Sequence, residues 1–386
     1  MLTRTLKVLV GRETTAGTTA TSMRPLIVEG AQMPLGDTST EMLAVEASSP
    51  YQHANAASVK GLQRKSPAKL AMVAKYAPSQ LGAAATAPAA ITNAAALSQE
   101  LILEHWMGGR VAGRGSAIDG AGSTDTVLNV TAGHGARFTV GQIAVFYVAG
   151  VPVPRQITAI STDALTVYPS LSSAPAAAQI VLGSRTYHRA EAHTQTLTIE
   201  AAHTQSGTPD AQQRGRMVRG QCAWAAEIGA RATLAFDGVS QAHDLGDLSI
   251  ATTDAADDMG ADVVWQGASY LWSSAVATAP SAVCIEKITV TIPNAWREQA
   301  CLSGTEGAAG VVMTGGRTPP TVELTMRWDS QGATMMAGYA AGTTYSLLAF
   351  ATRGSTTSQS WAGWFAGVMA FDAEPTRVDM EGEVMV

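Results

Sequence analysis

Charged residues are scarce in this sequence. Asp, Glu, Lys and Arg make up 15% of its 386 residues, and the formal net charge is −6. Affinity for nucleic acid normally comes from clustered Lys and Arg, so this composition disfavours a protein that binds DNA tightly. Ala, Gly, Ser and Thr are abundant instead, which is typical of short strands and disfavours an enzyme built on long surface helices.

Cysteines and long apolar runs are also few. Cys222, Cys284 and Cys301 are odd in number and far apart, which fits neither a disulfide framework nor a CxxC metal site. They are interpreted as small buried residues of a protein made in a reducing cytoplasm. No stretch approaches the roughly 18 apolar residues of a membrane span, and the apolar segment 6–10 is too short for a signal peptide. We therefore expect no membrane partner.

Motifs for catalysis and cofactor binding are missing. There is no GxSxG elbow, P-loop or Rossmann fingerprint, and His188, His193 and His203 lack the spacing of a zinc site. We predict a non-enzymatic protein with no catalytic, cofactor-binding or metal-ligating residues. Ordinary surface or interface positions are the expected role of the three histidines.

An acidic run and a group of aromatic residues are the remaining candidates for chemistry. The run contains no Lys or Arg and does not match the DxDxDG calcium motif, so it predicts a solvated loop or the lining of a channel that repels a polyanion. Its candidate residues are Asp244, Asp247, Asp254, Asp257 and Asp258, followed by Asp262. A sugar-binding platform is the alternative reading of Trp265, Tyr270 and Trp272, although such aromatics are more often core or interface anchors.

Alternation of apolar and polar residues is the main positive signal. This two-residue period predicts antiparallel strands with one buried and one wet face. It recurs at residues 5–10, 68–76, 196–200, 231–237, 287–292 and 322–328. The fold class is therefore mainly β, with an antiparallel sandwich or strongly curved sheet as its body.

Three segments interrupt this pattern. Residues 14–50 are rich in Thr, Gly, Ser and Pro and are predicted to form a long arm. Apolar residues recur at three- and four-residue spacing over about 88–107, which predicts one helix flanking the sheet. Residues 122–187 are predicted to form an inserted small barrel-like β domain or meander, with strands at 127–130, 142–148, 155–160, 164–168 and 179–182. The body would then comprise residues 1–121 and 188–386.

The order of these segments resembles the major tail tube proteins of long-tailed bacteriophages. The resemblance covers most of the chain and is one of organisation, without a single diagnostic motif. It is carried by LTRTLKVLVGRETTAGTTAT, PAKLAMVAKY, PAAITNAAALSQELILEHWMGG, GSTDTVLNVTAGHGARFTVGQIAVFY, TQTLTIEAA, MVRGQCAWAAEIGARATLAFDG and VVMTGGRTPPTVELTM. The insert at 122–187 departs from the smallest members of that family.

The resemblance implies a structural virion protein. Six subunits would form a ring, and stacked rings would form a tube that conducts the genome, with the insert on the tube exterior. The implied partners are other copies of the chain, the tail terminator, the baseplate or tip, the tape measure and passing DNA, which is contacted transiently and without specificity. The implied location is the virion tail, assembled in the host cytoplasm. Arg12, Glu13, Trp361, Trp364 and Phe365 are the candidate inter-subunit residues.

Two other functions remain open from the sequence. One is a carbohydrate-binding or adhesive β protein that uses the aromatic group. The other is a different virion part, either a capsid decoration or a baseplate component. The segment 361–371 is apolar on both faces, so it is predicted to be either a central strand or a strand covered by another subunit.

Overall fold

The structure of the chain is a computed structural model. It describes residues 5–32, 40–42, 58–60, 66–76, 97–148, 151–190, 192–205, 208–246, 261–273, 282–300, 308–314, 319–327, 330–353, 360–372 and 384–385. The predicted arm at 14–50 and the predicted helix at 88–107 therefore lie partly outside the described residues.

Within these residues the chain is mainly β, and its paired strands are antiparallel, which confirms that part of the predicted fold class. The helices are α1, Gln99–Met107, and α2, Ser330–Ala340. Numbered in chain order, β1 to β28 are Thr5–Arg12, Arg24–Leu26, Gly30–Gln32, Thr40–Met42, Ser58–Lys60, Ser66–Val73, Gly108–Val111, Arg114–Ala117, Val127–Asn129, Ile143–Val148, Val151–Ser161, Ala164–Tyr168, Ile180–Gly183, Thr186–Arg189, Ala192–His193, Leu197–Gln205, Thr208–Glu227, Thr233–Ser240, Ala242–Gly246, Gly267–Ser273, Ala282–Val283, Ile285–Ile292, Ala295–Ala300, Ala308–Thr314, Thr321–Arg327, Tyr345–Arg353, Ser360–Met369 and Val384–Met385.

An eleven-stranded sheet, called the main sheet below, organises the body. Its path runs β2-β1-β16-β17-β18-β6-β3; β19 and β22 join it through β17, β25 joins through β22, and β28 joins through β25. The 20-residue strand β17 pairs with β16 and β19 along its first half and with β18 and β22 along its second half. Met217, between the halves, has a φ of 51° and lies at a register shift against β16. This bulge bends β17, and the sheet curls accordingly.

Most of the predicted one-sided strands are confirmed. In β18 the exposed and buried residues alternate strictly over its first six positions, with Leu234 and Phe236 buried. Their cross-strand partners in β6, Met72 and Leu70, are buried in the same core. Removing a side chain the size of Phe236 from such a core costs about 3–5 kcal/mol, so this face holds the sheet in register.

The prediction of a wet face for strand β16 was wrong. Leu197 and Ile199 are buried as expected, but Thr198 and Glu200 on the opposite face are also completely buried. Residues 13–23 lie over that face, where Ala20 donates its N–H to the Thr198 hydroxyl. Local alternation cannot reveal a cover that arrives from another part of the chain.

A four-stranded sheet with the order β21-β20-β26-β27 lies on the other side of this core. Leu347 and Ala349 of β26 belong to the same buried cluster as Trp224 and Val290 of the main sheet. Leu348 and Phe350 point the opposite way and pack with Trp272 and Tyr168. Strand β26 is therefore buried on both faces.

Helix α1 begins later than predicted. Leu97 and Ser98 form the turn before it, and the helix then runs from Gln99 to Met107, where Gly108 ends it in a left-handed conformation. Ile102 and Trp106 are fully buried, which confirms the predicted apolar stripe. The Trp106 indole donates a 2.9 Å hydrogen bond to the carbonyl of Ile292 and so fixes the helix on the main sheet.

Helix α2 was not predicted, so the expectation of a single flanking helix was wrong. Its sequence, SQGATMMAGYA, contains two glycines and a threonine, which have low helix propensity. Gly338 nevertheless has a reason to be glycine, because a Cβ there would overlap the hydroxyl of Tyr345. Tertiary packing therefore overrides the weak local signal.

Six strands form a separate sheet with the order β8-β13-β10-β11-β12-β9. Ile118, just after β8, bridges Val130, just after β9, and Thr131 donates its N–H to the carbonyl of Ala117. The first and last strands of the order therefore meet, and the sheet closes around its own core, which includes Leu128, Phe146, Ile157, Leu165 and Val181. We call this unit the barrel.

The five strands predicted inside the insert are confirmed, with small differences at their ends. The sixth strand, β8, was missed because its sequence RGSA carries no apolar period. The barrel strands therefore run from Arg114 to Gly183, whereas the predicted insert ran from 122 to 187. Strands β7 and β14, directly before and after the barrel, pair with each other and form its stem.

Candidate functional site

Strand β27 forms an open sheet edge within the described part of the chain. One side of it pairs with β26 from Ser360 to Met369, and no described strand pairs with its other side. Val368, near the end of the strand, is 71% exposed. An apolar edge strand leaves a row of backbone N–H and C=O groups available to a strand of another chain. Among the described strands this segment therefore lies at an edge, and the predicted alternative of a central strand is not confirmed there.

The aromatic residues predicted to lie between subunits anchor β27 within the chain. The Trp364 ring lies 5.6 Å from that of Trp106 and 5.7 Å from that of Trp224, between ring centroids. Phe365 points to the other face, with its ring centroid 6.5 Å from that of Trp272. The side chain of Trp361 lies outside the described residues. Among its described side chains, β27 therefore exposes Val368, whereas the rings of Trp364 and Phe365 are half-buried.

Glu13, also predicted to lie between subunits, is only 5% exposed. Its carboxylate accepts four hydrogen bonds inside the chain. The hydroxyls of Thr196 and Thr198 donate at 2.6 and 3.0 Å, and the N–H groups of Gly17 and Met217 donate at 2.8 and 2.9 Å. Burial raises the pKa of Glu13, and these hydrogen bonds oppose that shift. The carboxylate is an internal group that holds the β17 bulge.

Arg12 is the one predicted inter-subunit residue whose described side chain is largely exposed. It is 49% exposed and lies 3.1 Å from a carboxylate oxygen of Glu104 on α1. Glu104 in turn lies 3.6 Å from Arg110 of the barrel stem. A surface ion pair of this kind contributes at most about 1 kcal/mol, so Arg12 remains available to a partner at small cost.

A second carboxylate of α1 ties the barrel stem to the helix and was missed in the sequence. Glu100 forms an ion pair with Arg185, directly before β14, and lies 4.0 Å from Arg110 of β7. Both strands of the stem are thus held against the first turn of α1. The available signal was the spacing of Glu100 and Glu104, which places two carboxylates on one face of a helix.

The described carboxylates of the acidic run, those of Asp244 and Asp262, form ion pairs with cationic side chains. Asp244 receives hydrogen bonds at 3.0 and 3.1 Å from the guanidinium of Arg216. Asp262 pairs with Lys75 and Arg231, and these contacts lower its pKa. The other predicted lumen residues, Asp247, Asp254, Asp257 and Asp258, lie outside the described residues. No local pattern indicated these cationic partners, because Arg216, Lys75 and Arg231 are distant in sequence from the carboxylates that they contact.

The histidines do not assemble a metal site in the part of the chain that the structure describes, where no group of three or more His, Cys, Asp or Glu is placed to hold an ion. His188 is exposed on β14, and the side chain of His203 lies outside the description. His193 instead lies edge-on to His105, with ring centroids 5.8 Å apart, and His105 stacks on Trp296 at 5.0 Å. Burial and the neighbouring His193 lower the pKa of His105 to about 3.

The aromatic group considered for sugar binding is mostly internal. Trp265 is 3% exposed and Trp272 is 7% exposed. Trp265 packs edge-on against Trp224, and the Trp272 indole donates a 3.0 Å hydrogen bond to the Tyr168 hydroxyl of the barrel. Tyr270 is half-buried and stacks on Phe350. These rings therefore provide no exposed platform.

A cavity of about 1400 Å³ opens between the helices, β25 and the end of β27. Its lining is largely apolar and includes Leu103, Leu324, Met335, Trp364, Met369 and Phe371. An isolated subunit thus leaves apolar surface open next to the β27 edge. Concave, largely apolar openings are places where other molecules commonly bind.

No protein-family model matches this chain, and a search of curated proteins finds no relative. None of the described helices is both long and apolar enough to cross a membrane. The function is therefore inferred from the geometry above and from the order of segments in the sequence.

Proposed function

We propose that this chain is the major subunit of a bacteriophage tail tube. Copies join edge to edge into six-membered rings, the rings stack, and the tube conducts the genome during infection. The resemblance of the segment order to tail tube proteins supports this proposal, as does a mainly β architecture of antiparallel sheets. The partners in this proposal are further copies of the chain, the tail terminator, the tip or baseplate and the tape measure.

The observation that carries the proposal is the open edge of β27. Edge strands are normally blunted by charge, proline or a covering segment, because an open apolar edge pairs with other chains. Residues Ser360–Met369 contain no charged residue and no proline, and Val368 is 71% exposed. A strand of a second subunit would complete the hydrogen bonds of this edge. Repeating a head-to-tail contact around an axis closes a ring.

Two further features support a tail tube subunit. The main sheet and the four-stranded sheet contribute residues to one core, which supports the proposed sandwich. The apolar cavity beside β27 offers surface that a neighbouring subunit can cover.

The test is electron microscopy of the purified protein together with two matched variants. Val368→Lys places a charge on the β27 edge, and Val140→Lys places the same charge on the barrel, where Val140 is 55% exposed. We expect rings or tubes from the wild type and from Val140→Lys. Val368→Lys should remain unassembled at the same concentration, because an edge lysine opposes strand pairing.

Other outcomes separate the alternatives. A wild-type protein that stays monomeric under all assembly conditions contradicts the proposal, and rings that form equally well with Val368→Lys contradict the role of β27. Closed particles or isolated trimers would favour a capsid decoration or baseplate component. An adhesive protein would be retained on a glycan column. The burial of Trp265 and Trp272 makes this carbohydrate-binding alternative less favoured.

A further inference from the structure

The strands β23 and β24 form a hairpin, called the hairpin below, that is held at its base. Ala295 and Thr314 pair with each other at this base, and β15 pairs with β24 there through Ala192 and His193 alone. In the described part of the chain, no strand of another sheet pairs with these three strands. The hairpin is therefore attached to the body mainly by side chains at its base.

Two histidines and a tryptophan make this attachment. His193 and Trp296 flank Met313 in one row of the strand register, so both lie on the same face of the sheet, with ring centroids 5.1 Å apart. His105 of α1 meets them there. Its ring stacks on that of Trp296 at 5.0 Å and lies edge-on to that of His193 at 5.8 Å, between centroids. We call His105, His193 and Trp296 the clasp.

The clasp is built for neutral imidazoles. His105 is fully buried, and its Nε2 accepts a 3.2 Å hydrogen bond from the N–H of Gly220 on β17. An imidazole nitrogen accepts a hydrogen bond only when it carries no proton, so this contact is lost in the charged ring. Gly108 at the end of α1 allows His193 to approach, because a Cβ there would overlap the imidazole ring.

The charged side chains around the clasp do not stabilise an imidazolium. Those of the surrounding elements are Arg12 of β1, Glu104 of α1, Arg189 of β14 and Arg219 of β17, while β18 contributes the uncharged ring of Phe236. Glu104 is already paired with Arg12 and Arg110. The side chains of Arg297 and Glu298 on β23 lie outside the described residues. Among the described residues, no carboxylate pairs with either imidazole.

Acid therefore weakens the clasp. Burial and then the neighbouring His193 lower the pKa of His105 to about 3, and burial and then the charge of Arg12 lower the pKa of His193. A histidine in water has a pKa of about 6.5. The stabilisation from these two rings is thus fully present above a pH of about 6.5 and is lost as pH falls toward the lowered values.

We propose that His105 and His193 form an acid-sensitive switch, which holds the hairpin on α1 at neutral pH and releases it when the two imidazoles take up protons. Release is local, because the hairpin can separate from the body without breaking a strand pair of the main sheet. The switch belongs to the single chain and does not depend on the proposed assembly.

Amide hydrogen exchange of the full chain at about pH 7 and about pH 5 measures the release. Rates over 295–300 and 308–314 are corrected for the intrinsic effect of pH and compared with β10, whose two edges are paired inside the barrel. Each imidazole that is neutral in the closed hairpin and titrates freely in the open one raises the open population about 20-fold over this range. We expect the hairpin to lose protection by at least this factor while β10 retains its own.

Substitution of the two histidines identifies the groups that take up the protons. In a His105→Gln/His193→Gln double variant, hairpin protection should be the same at both pH values. His188→Gln is the matched control, because His188 is exposed on β14 and outside the clasp, and it should keep the wild-type loss. A double variant that still loses hairpin protection in acid would overturn the proposal.

A second measurement on the wild type needs no substitution. Exchange of the imidazole C2 hydrogen, followed by mass spectrometry, reports the titration of each histidine in the intact protein. We expect His105 and His193 to titrate below the ordinary histidine pKa of about 6.5. Titration of both at or above that value, or hairpin exchange that is unchanged at about pH 5, contradicts the switch.

Discussion

Glu13 joins three pieces of the chain through one carboxylate. The turn at Gly17, the hydroxyls of β16 and the bulge at Met217 all donate to it. A buried acceptor of this kind cannot be recognised in the sequence, where Glu13 follows a strand and looks like a surface residue. Its donors come from positions more than 180 residues away, apart from Gly17.

Replacing Glu13 with Gln should destabilise the folded subunit. The amide group has only one acceptor oxygen, so an N–H of Gly17 or Met217 loses its partner, which costs about 1–3 kcal/mol. Urea unfolding followed by tryptophan fluorescence measures the loss. Glu29→Gln is the matched control, because the Glu29 side chain is 50% exposed and forms a surface ion pair with Arg231. If both variants lose the same free energy of unfolding, the four hydrogen bonds of Glu13 contribute no more to stability than the surface ion pair of Glu29.

The raised pKa of Glu13 predicts how the difference in free energy of unfolding between wild type and Glu13→Gln changes with pH. Because burial raises the pKa of Glu13 in the fold, the native state binds this proton more tightly than the unfolded chain does. The resulting stability is fully present below the unfolded pKa of about 4.3 and is lost as pH rises through the folded pKa. The difference in free energy of unfolding between wild type and Glu13→Gln should therefore narrow from acid to neutral pH. A difference that widens would mean that the hydrogen bonds outweigh burial.

At the scale of elements, a strand or helix could be predicted only where its apolar residues recur at a regular spacing. Strands such as β18 and β22 were predicted correctly because a strand with one buried face has an apolar residue at every second position. Strand β8 and helix α2 were missed because RGSA and SQGATMMAGYA carry no such mark. The cover of β16 by residues 13–23 was also missed, since no local pattern encodes which segments meet. The contacts of the candidate inter-subunit residues were missed for the same reason, because the partners of Trp364 and Glu13 come from distant parts of the chain.

The barrel is expected to fold on its own. Its strands close around a core of their own, and both ends of the chain leave it at the short stem of β7 and β14. A fragment of residues 108–189 should show a cooperative thermal transition by circular dichroism. Phe146→Ala, which removes a fully buried ring, should abolish or sharply lower that transition, since such a loss costs about 3–5 kcal/mol. A fragment with no cooperative transition would contradict the predicted separate domain.

At the scale of the whole molecule, the main sheet and the barrel form the two ends of a layer order, with the four-stranded sheet between them. The face of the main sheet that points away from the core includes small residues such as Ala71 and Ala235, and Tyr168 of the barrel contacts Trp272 on the far side of the four-stranded sheet. The open edge of β27 lies in the four-stranded sheet, between these two ends. Contacts made through this edge would therefore leave the outer face of the main sheet and the barrel free, as the proposed tube with an outer decoration requires.

Amide hydrogen exchange provides a direct test of where subunits meet. In assembled tubes, residues 360–369 should exchange more slowly than in the unassembled Val368→Lys variant, because the outer N–H groups of β27 acquire partners. Strand β10 serves as an internal reference, since β11 and β13 already pair with both of its edges. Mass spectrometry of peptic peptides resolves the two segments. Unchanged exchange over 360–369, with new protection confined to the barrel, would place the subunit contact on the barrel and remove the main support for joining through β27.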